Sequence, residues 1–251
     1  MGDFADQAVA TLLISLRITP VFAFAQPFTL LRVPRTVRTM LGISLAAWLV
    51  AAYPGSTWRA PFWDAGLPMV ALGELFLGLT LTLALQLAFA ALLTAGRAID
   101  IQAGFGLAAL VDPTTRSQMP LVGTILAYAG GAVFFATGGA GDLLAVWAAS
   151  VEHVPLGTAS IGGDPAVLGD YMGAVFLMAM GLVGIVLLVL FLIDLAIAFL
   201  SRTMPQMNVL FMGFQVKALA MLLTLPVALA FSGAIFARLM RAAIDIMPQL
   251  I

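Results

Sequence analysis

The chain has 251 residues, of which 63% are hydrophobic and 9% charged, far below the roughly one quarter charged that soluble domains carry; it reads as an integral membrane protein. Eleven basic against twelve acidic residues give a formal net charge of -1, which leaves no basic surface for nucleic acid and no polybasic lipid-binding tail. The absence of cysteine excludes disulfides, thiolate metal sites and a thiol nucleophile.

Six apolar blocks follow in chain order: Phe4 to Ala25, Val37 to Tyr53, Leu67 to Leu93, Leu121 to Val151, Tyr171 to Leu200 and Val209 to Ala237. Most exceed the ~20 residues that a spanning helix needs. The expected fold is an all-α membrane protein of about six long helical segments, some of them broken, in a single domain over 1–251. The first block follows two acids, Asp3 and Asp6, and is too long for a removed signal peptide, so it is expected to stay as the first helix. Arg32, Arg35 and Arg38 cluster after it, which by the positive-inside tendency places that loop in the cytoplasm and the N-terminus outside. The connections are short and rich in helix breakers, as in "TWRAPFWDAGLP" at 57–68 and "SRTMPQMN" at 201–208. Gly169 and Gly173 form one small-xxx-small pair of the kind that lets membrane helices approach.

Arg17, Glu74, Asp100 and Asp194 lie within or at the edge of these blocks. Each would cost ~2.5–3.5 kcal/mol facing lipid at mid-bilayer, so they should face protein or water. Gln86 and Gln102 need partners for the same reason. Two uses compete: bonds that fix helix packing, or an ion or proton relay with Asp194 as its leading member. Arg97 and Asp100, at i and i+3, would sit together on a helix and neutralise each other. The single histidine, His153, is read as lying in a Pro/Gly loop with no metal-ligand spacing, and no P-loop, H-E-x-x-H or G-x-S-x-G occurs. No enzyme chemistry and no cofactor or metal are expected.

"AGFGLAALVDPTTRSQMP" at 103–120 interrupts the apolar pattern. Pro113 turns Asp112 away from helical dihedrals, Gly104 and Gly106 loosen the turn before it, and Pro120 restarts a helix. Irregular backbone at membrane depth cannot face lipid, so it is either an aqueous loop or is wrapped by protein or a wet cavity.

The stretch "LQLAFAALLTAGRAIDIQAGFGLAALVDPTTRSQMP" (85–120) resembles the signature region of the FliR/SctT family, a subunit of the export gate in flagellar and virulence type III secretion systems. "SRTMPQMNVLFMGFQVK" (201–217), with Pro205 and Gln206, is similar to that family's Pro-Gln segment. "TPVFAFAQPF", "LRVPRTVR" and "LGELFLG" agree in order along nearly the whole chain. The chain departs from the family pattern at Arg97, where an acid is common, in "GGAGD" at 138–142, which lacks a following histidine, and at Gln215 in place of a proline.

The resemblance implies a non-enzymatic subunit of the bacterial inner (cytoplasmic) membrane, within the flagellar basal body or an injectisome. It implies FliP-like and FliQ-like gate subunits, FlhB-like and FlhA-like export components, unfolded substrate proteins and membrane lipid as partners. It further implies that residues 104–120 plug the export path, with Phe105, Leu107, Leu110, Val111 and Met119 as the apolar seal and Gly104, Gly106, Asp112, Pro113 and Pro120 as the backbone that shapes it. The wording "PQMNVLFMGF" favours the flagellar machinery. The alternative reading is a stand-alone secondary transporter or channel, for which irregular helices and intramembrane acids are equally expected.

Overall fold

Long runs of Leu, Ala, Val and Met with few internal breakers favour helix, and in lipid the helix satisfies every backbone polar group within its own segment. The computed structural model describes residues 2–31, 33–59, 66–105, 120–159, 165–203 and 209–250. These form α1 (Gly2–Phe24), α2 (Arg35–Ala52), α3 (Leu67–Gln102), α4 (Leu121–Ala136), α5 (Gly139–His153), α6 (Pro165–Thr203), α7 (Val209–Phe231) and α8 (Gly233–Asp245), followed by a 3-10 turn, Met247–Gln249. No strand occurs among the described residues.

The chain is thus an all-α membrane protein, and its helices depart from the six apolar blocks in two places. The fourth block breaks into α4 and α5, which bend by 69°. Gly138 precedes α5 with φ +84, a left-handed conformation that a glycine adopts without a Cβ clash. The sixth block breaks at Ser232 between α7 and α8. Beyond the break the pattern becomes amphipathic: Phe236, Leu239, Met240, Ala243 and Ile244 are buried, while Arg238, Arg241 and Asp245 are exposed. Four helices are long and apolar enough to span a membrane, Phe4–Phe24, α3, Ala166–Thr203 and Met212–Phe231, and the bent α4–α5 pair would make a fifth. α3 runs for 36 residues and α6 for 39.

The backbone divides into two compact units, one of residues 1–89, 134–173 and 240–251, the other of residues 90–133 and 174–239. In the first, α1 packs on α2, and Gly42 allows the approach, because a Cβ there would lie 2.6 Å from the Thr19 hydroxyl. α1 also meets α3 closely, since a Cβ on Gly78 would stand 2.6 Å from the backbone oxygens of Leu16 and Arg17. The last carbonyls of α1, which have no intrahelical partner, are capped by side chains: Gln86 Nε2 donates to Phe24 O at 2.7 Å, and Arg38 Nη1 to Phe22 O and Ala23 O at 3.3 and 3.2 Å. An aromatic cluster of Phe22, Phe28, Phe134, Phe135 and Trp147 fills the space beside them.

In the second unit the close approach is between α3 and α4. A Cβ on Gly96 would sit 2.2 Å from the Gly123 backbone. In the first unit Gly169 and Gly173, the pair that the sequence singles out, have nothing within 4 Å of their would-be Cβ atoms.

Candidate functional site

The four intramembrane charges fall into three sites, one in the first unit and two in the second. In the first unit Arg17 and Glu74 are both 0% exposed. Arg17 Nε donates to Glu74 Oε2 at 2.6 Å and Nη2 to Oε1 at 2.9 Å, the fork-to-fork geometry that a guanidinium and a carboxylate favour. The remaining donors of Arg17 reach Ser150 O at 2.9 Å, Ser150 Oγ at 3.3 Å and Val154 O at 3.0 Å. Both carbonyls lie at the C-terminal end of α5, Ser150 O in its last turn, where it also accepts from Val154 N at 3.0 Å, and Val154 O just beyond it; a cation is favoured there by the helix dipole. The single arginine therefore ties α1, α3 and α5 together.

In the second unit α3 ends in a defined cap. Gly104 has φ +89, Gly104 N donates to Ile101 O at 3.1 Å and Phe105 N to Asp100 O at 2.9 Å, the paired bonds of a Schellman motif with glycine at its left-handed position. Gly104 thus stops the helix in a fixed geometry, where the sequence suggests a loosened turn. A Cβ at Gly104 would also press on the Phe214 ring, 3.1 Å away, and Phe105 meets Phe214 edge to face at 6.0 Å between centroids. On the returning side Pro120 stands one residue ahead of α4, its carbonyl accepting from Thr124 N at 2.9 Å and Thr124 Oγ1 at 2.7 Å.

Asp100 joins the two sides. It is 6% exposed, and its carboxylate accepts from Val122 N at 3.1 and 3.2 Å, in the first turn of α4, where the amides have no partner within the helix. Arg97 does not neutralise it: Arg97 is exposed, and the acid is turned to α4 instead. Helical spacing brings positions 97 and 100 onto one side, but the free amides of α4 compete for the carboxylate and win. Gly106, Leu107, Leu110, Val111, Asp112, Pro113 and Met119, and Pro205 and Gln206, lie outside the described residues.

The remaining acid, Asp194 on α6, pairs with Lys217 on α7 and accepts from Gln102 Nε2 at 2.8 Å. Lys217 is the only lysine in the chain, and its presence in an apolar block was the available signal for an acidic partner. Both side chains stay partly accessible, 19% for Lys217 and 36% for Asp194. Among the described residues no group of three or more His, Asp or Glu is arranged to hold a metal ion.

The family model for "Bacterial export proteins, family 1" matches residues 8–243. The chain belongs to this family. It is 29% identical over 225 residues to the flagellar biosynthetic protein FliR of Bacillus subtilis, covering 86% of this chain and 85% of the relative. It is 27% identical over 245 residues to the FliR of Pectobacterium carotovorum, covering 94% and 91%. The Yop proteins translocation protein T of Yersinia pestis is 30% identical over 163 residues, 62% of this chain and 61% of the relative. This bacterial export protein is a type III export gate subunit of the inner membrane, and the flagellar relatives, which match over more of the chain, favour the flagellar apparatus.

Proposed function

We propose that this export protein is a non-enzymatic gate subunit of the flagellar basal body that assembles with FliP-like and FliQ-like subunits beside FlhB-like and FlhA-like components, and that residues 104–120 plug the path taken by unfolded export substrates. The observation that carries the assembly reading is the division of polar and apolar groups. Arg17, Glu74 and Asp100 are turned inward and bonded, while large apolar side chains stay exposed along α6, among them Leu177, Ile185, Leu188, Phe191, Leu195 and Phe199. Such a surface requires lipid or neighbouring chains over it. The plug reading is supported by the resemblance of 85–120 and by the ends of that segment: Phe105 closes the C-terminal cap of α3, and Pro120 leads into an α4 whose Val122 amide is capped by Asp100.

Two measurements test it. The tagged chain, purified from its native membrane, should bring FliP-like and FliQ-like companions in fixed proportion; recovery as a well-ordered monomer that conducts a solute unaided would overturn the assembly reading. Shortening residues 107–118 in the assembled gate should raise its resting ion conductance in planar bilayers, and a normally assembled, shortened gate with wild-type conductance would remove the plug role.

A further inference from the structure

Residue 100 holds the chain on both sides of the 106–119 segment. Its backbone carbonyl accepts from Phe105 N, the last described amide before the segment, at 2.9 Å. Its carboxylate accepts from Val122 N, two residues after Pro120, at 3.1 and 3.2 Å. The Gly96–Gly123 contact lies beside this bond, one turn back along α3 and one residue on along α4: with a would-be Cβ 2.2 Å from the opposite backbone, α3 and α4 touch main chain to main chain there. The Phe105–Phe214 contact fixes the outgoing side a second time, against α7. A carboxylate is the residue type suited to the returning side, because free amides at a helix N-terminus favour negative charge and offer several donors to it.

We propose that Asp100 is the positioning residue of the gate: it clasps the N-terminus of α4 to the C-terminus of α3, and thereby sets where the two ends of the plug segment stand when the gate is at rest. This role rests on the plug reading above. The carboxylate contributes no contact to an export substrate; it acts through Val122 and the position of α4. It also explains why Arg97, three residues away, is left exposed, since an arginine engaged with Asp100 would draw its oxygens off the α4 amides.

The test uses the assembled gate. This chain has no cysteine, so Ile101→Cys and Leu121→Cys, at positions 62% and 58% exposed, place two spin labels of known location on either side of the clasp. With Asp100 intact, a narrow inter-label distance distribution is expected. Asp100→Ala should broaden it and raise resting conductance, with the loosened population up about fivefold, the scale of a lost helix cap. Asp100→Asn, whose amide oxygen can still accept, should restore both toward wild type, whereas Asp100→Leu, of similar bulk but with no acceptor for Val122 N, should not; recovery in Asp100→Leu would overturn the clasp. An unchanged distance distribution in Asp100→Ala overturns the clasp. A broadened distribution with wild-type conductance overturns its control of the gate, and the loop-shortened gate then tells whether the plug reading falls with it: that gate leaks if only the clasp is wrong. Residue-resolved hydrogen exchange on the unaltered gate gives a second measurement, needed if Asp100→Ala does not assemble. The Val122 amide has no acceptor within α4, so slow exchange there is expected from Asp100, and exchange as fast as an open helix end would refute the clasp.

Discussion

Replacing Glu74 with alanine removes two of the contacts that hold Arg17, those at 2.6 and 2.9 Å, and leaves a cation at 0% exposure with only neutral oxygens around it. Breaking one side of a buried pair costs about 3–5 kcal/mol, because the surviving charge stays desolvated. That is a large share of a stability of about 5–15 kcal/mol, and in a chain of this size it lowers a melting midpoint by on the order of 10 °C. Glu74→Gln keeps one acceptor and should fall between. The informative variant is the exchange Arg17→Glu with Glu74→Arg. It preserves the pair, but a carboxylate at position 17 would face Ser150 O and Val154 O, which are acceptors, so acceptor meets acceptor and no rescue is expected. The assay is the thermal midpoint of the detergent-purified gate, read as loss of the assembled peak in size-exclusion chromatography. A Glu74→Ala gate that melts within about 2 °C of wild type, or an exchange variant that recovers the wild-type midpoint, would refute the account of Arg17 as a three-helix tie.

Two further outcomes follow from close contacts in the same helices. Gly78→Ala drives a Cβ to 2.6 Å from the α1 carbonyls of Leu16 and Arg17, so α1 and α3 must separate; the expected loss is about 1–3 kcal/mol, seen as a lower midpoint in the same assay, whereas Gly173→Ala, with open space around it, should leave the fold of the chain itself unaltered. Lys217→Met leaves Asp194 without its cation, and since both groups are partly accessible the expected cost is about 1 kcal/mol; Lys217→Met with Asp194→Leu should recover the loss, and a double variant less stable than the single would argue for a separate role of the acid.

Much of the architecture is legible from hydropathy alone, because a lipid-facing helix must be apolar around its surface. The places where it fails share a cause. The division of the fourth block at Gly138 and of the sixth at Ser232 depends on local backbone, and glycine is too frequent here for any one of them to announce a bend. α8 hides from a window that seeks uniform apolarity because Arg238, Arg241 and Asp245 interrupt it; the spacing of Phe236, Leu239, Met240, Ala243 and Ile244 would have shown it. That Arg17, Glu74 and Asp100 turn inward is also foreseeable, since lipid excludes the alternative. Their partners are not. Arg17 reaches carbonyls more than a hundred residues away, at Ser150 and Val154, and a carbonyl leaves no mark in a sequence. Asp194 and Lys217 lie on different helices, so no helical period links them. Asp100 was misread for the opposite reason: the spacing to Arg97 is visible, and the competing amides of α4 are not.

At about 1.5 Å per residue, the 36 residues of α3 and the 39 of α6 reach about 54 and 58 Å, nearly twice the ~30 Å of hydrocarbon in a bilayer. Tilt accommodates only part of that excess. A newly made copy of this polypeptide would therefore carry greasy surface into water until companions arrive, which makes it a target for quality-control proteases. Its cellular abundance should follow that of the companions, and synthesis in surplus should yield degraded or aggregated material in place of additional machines.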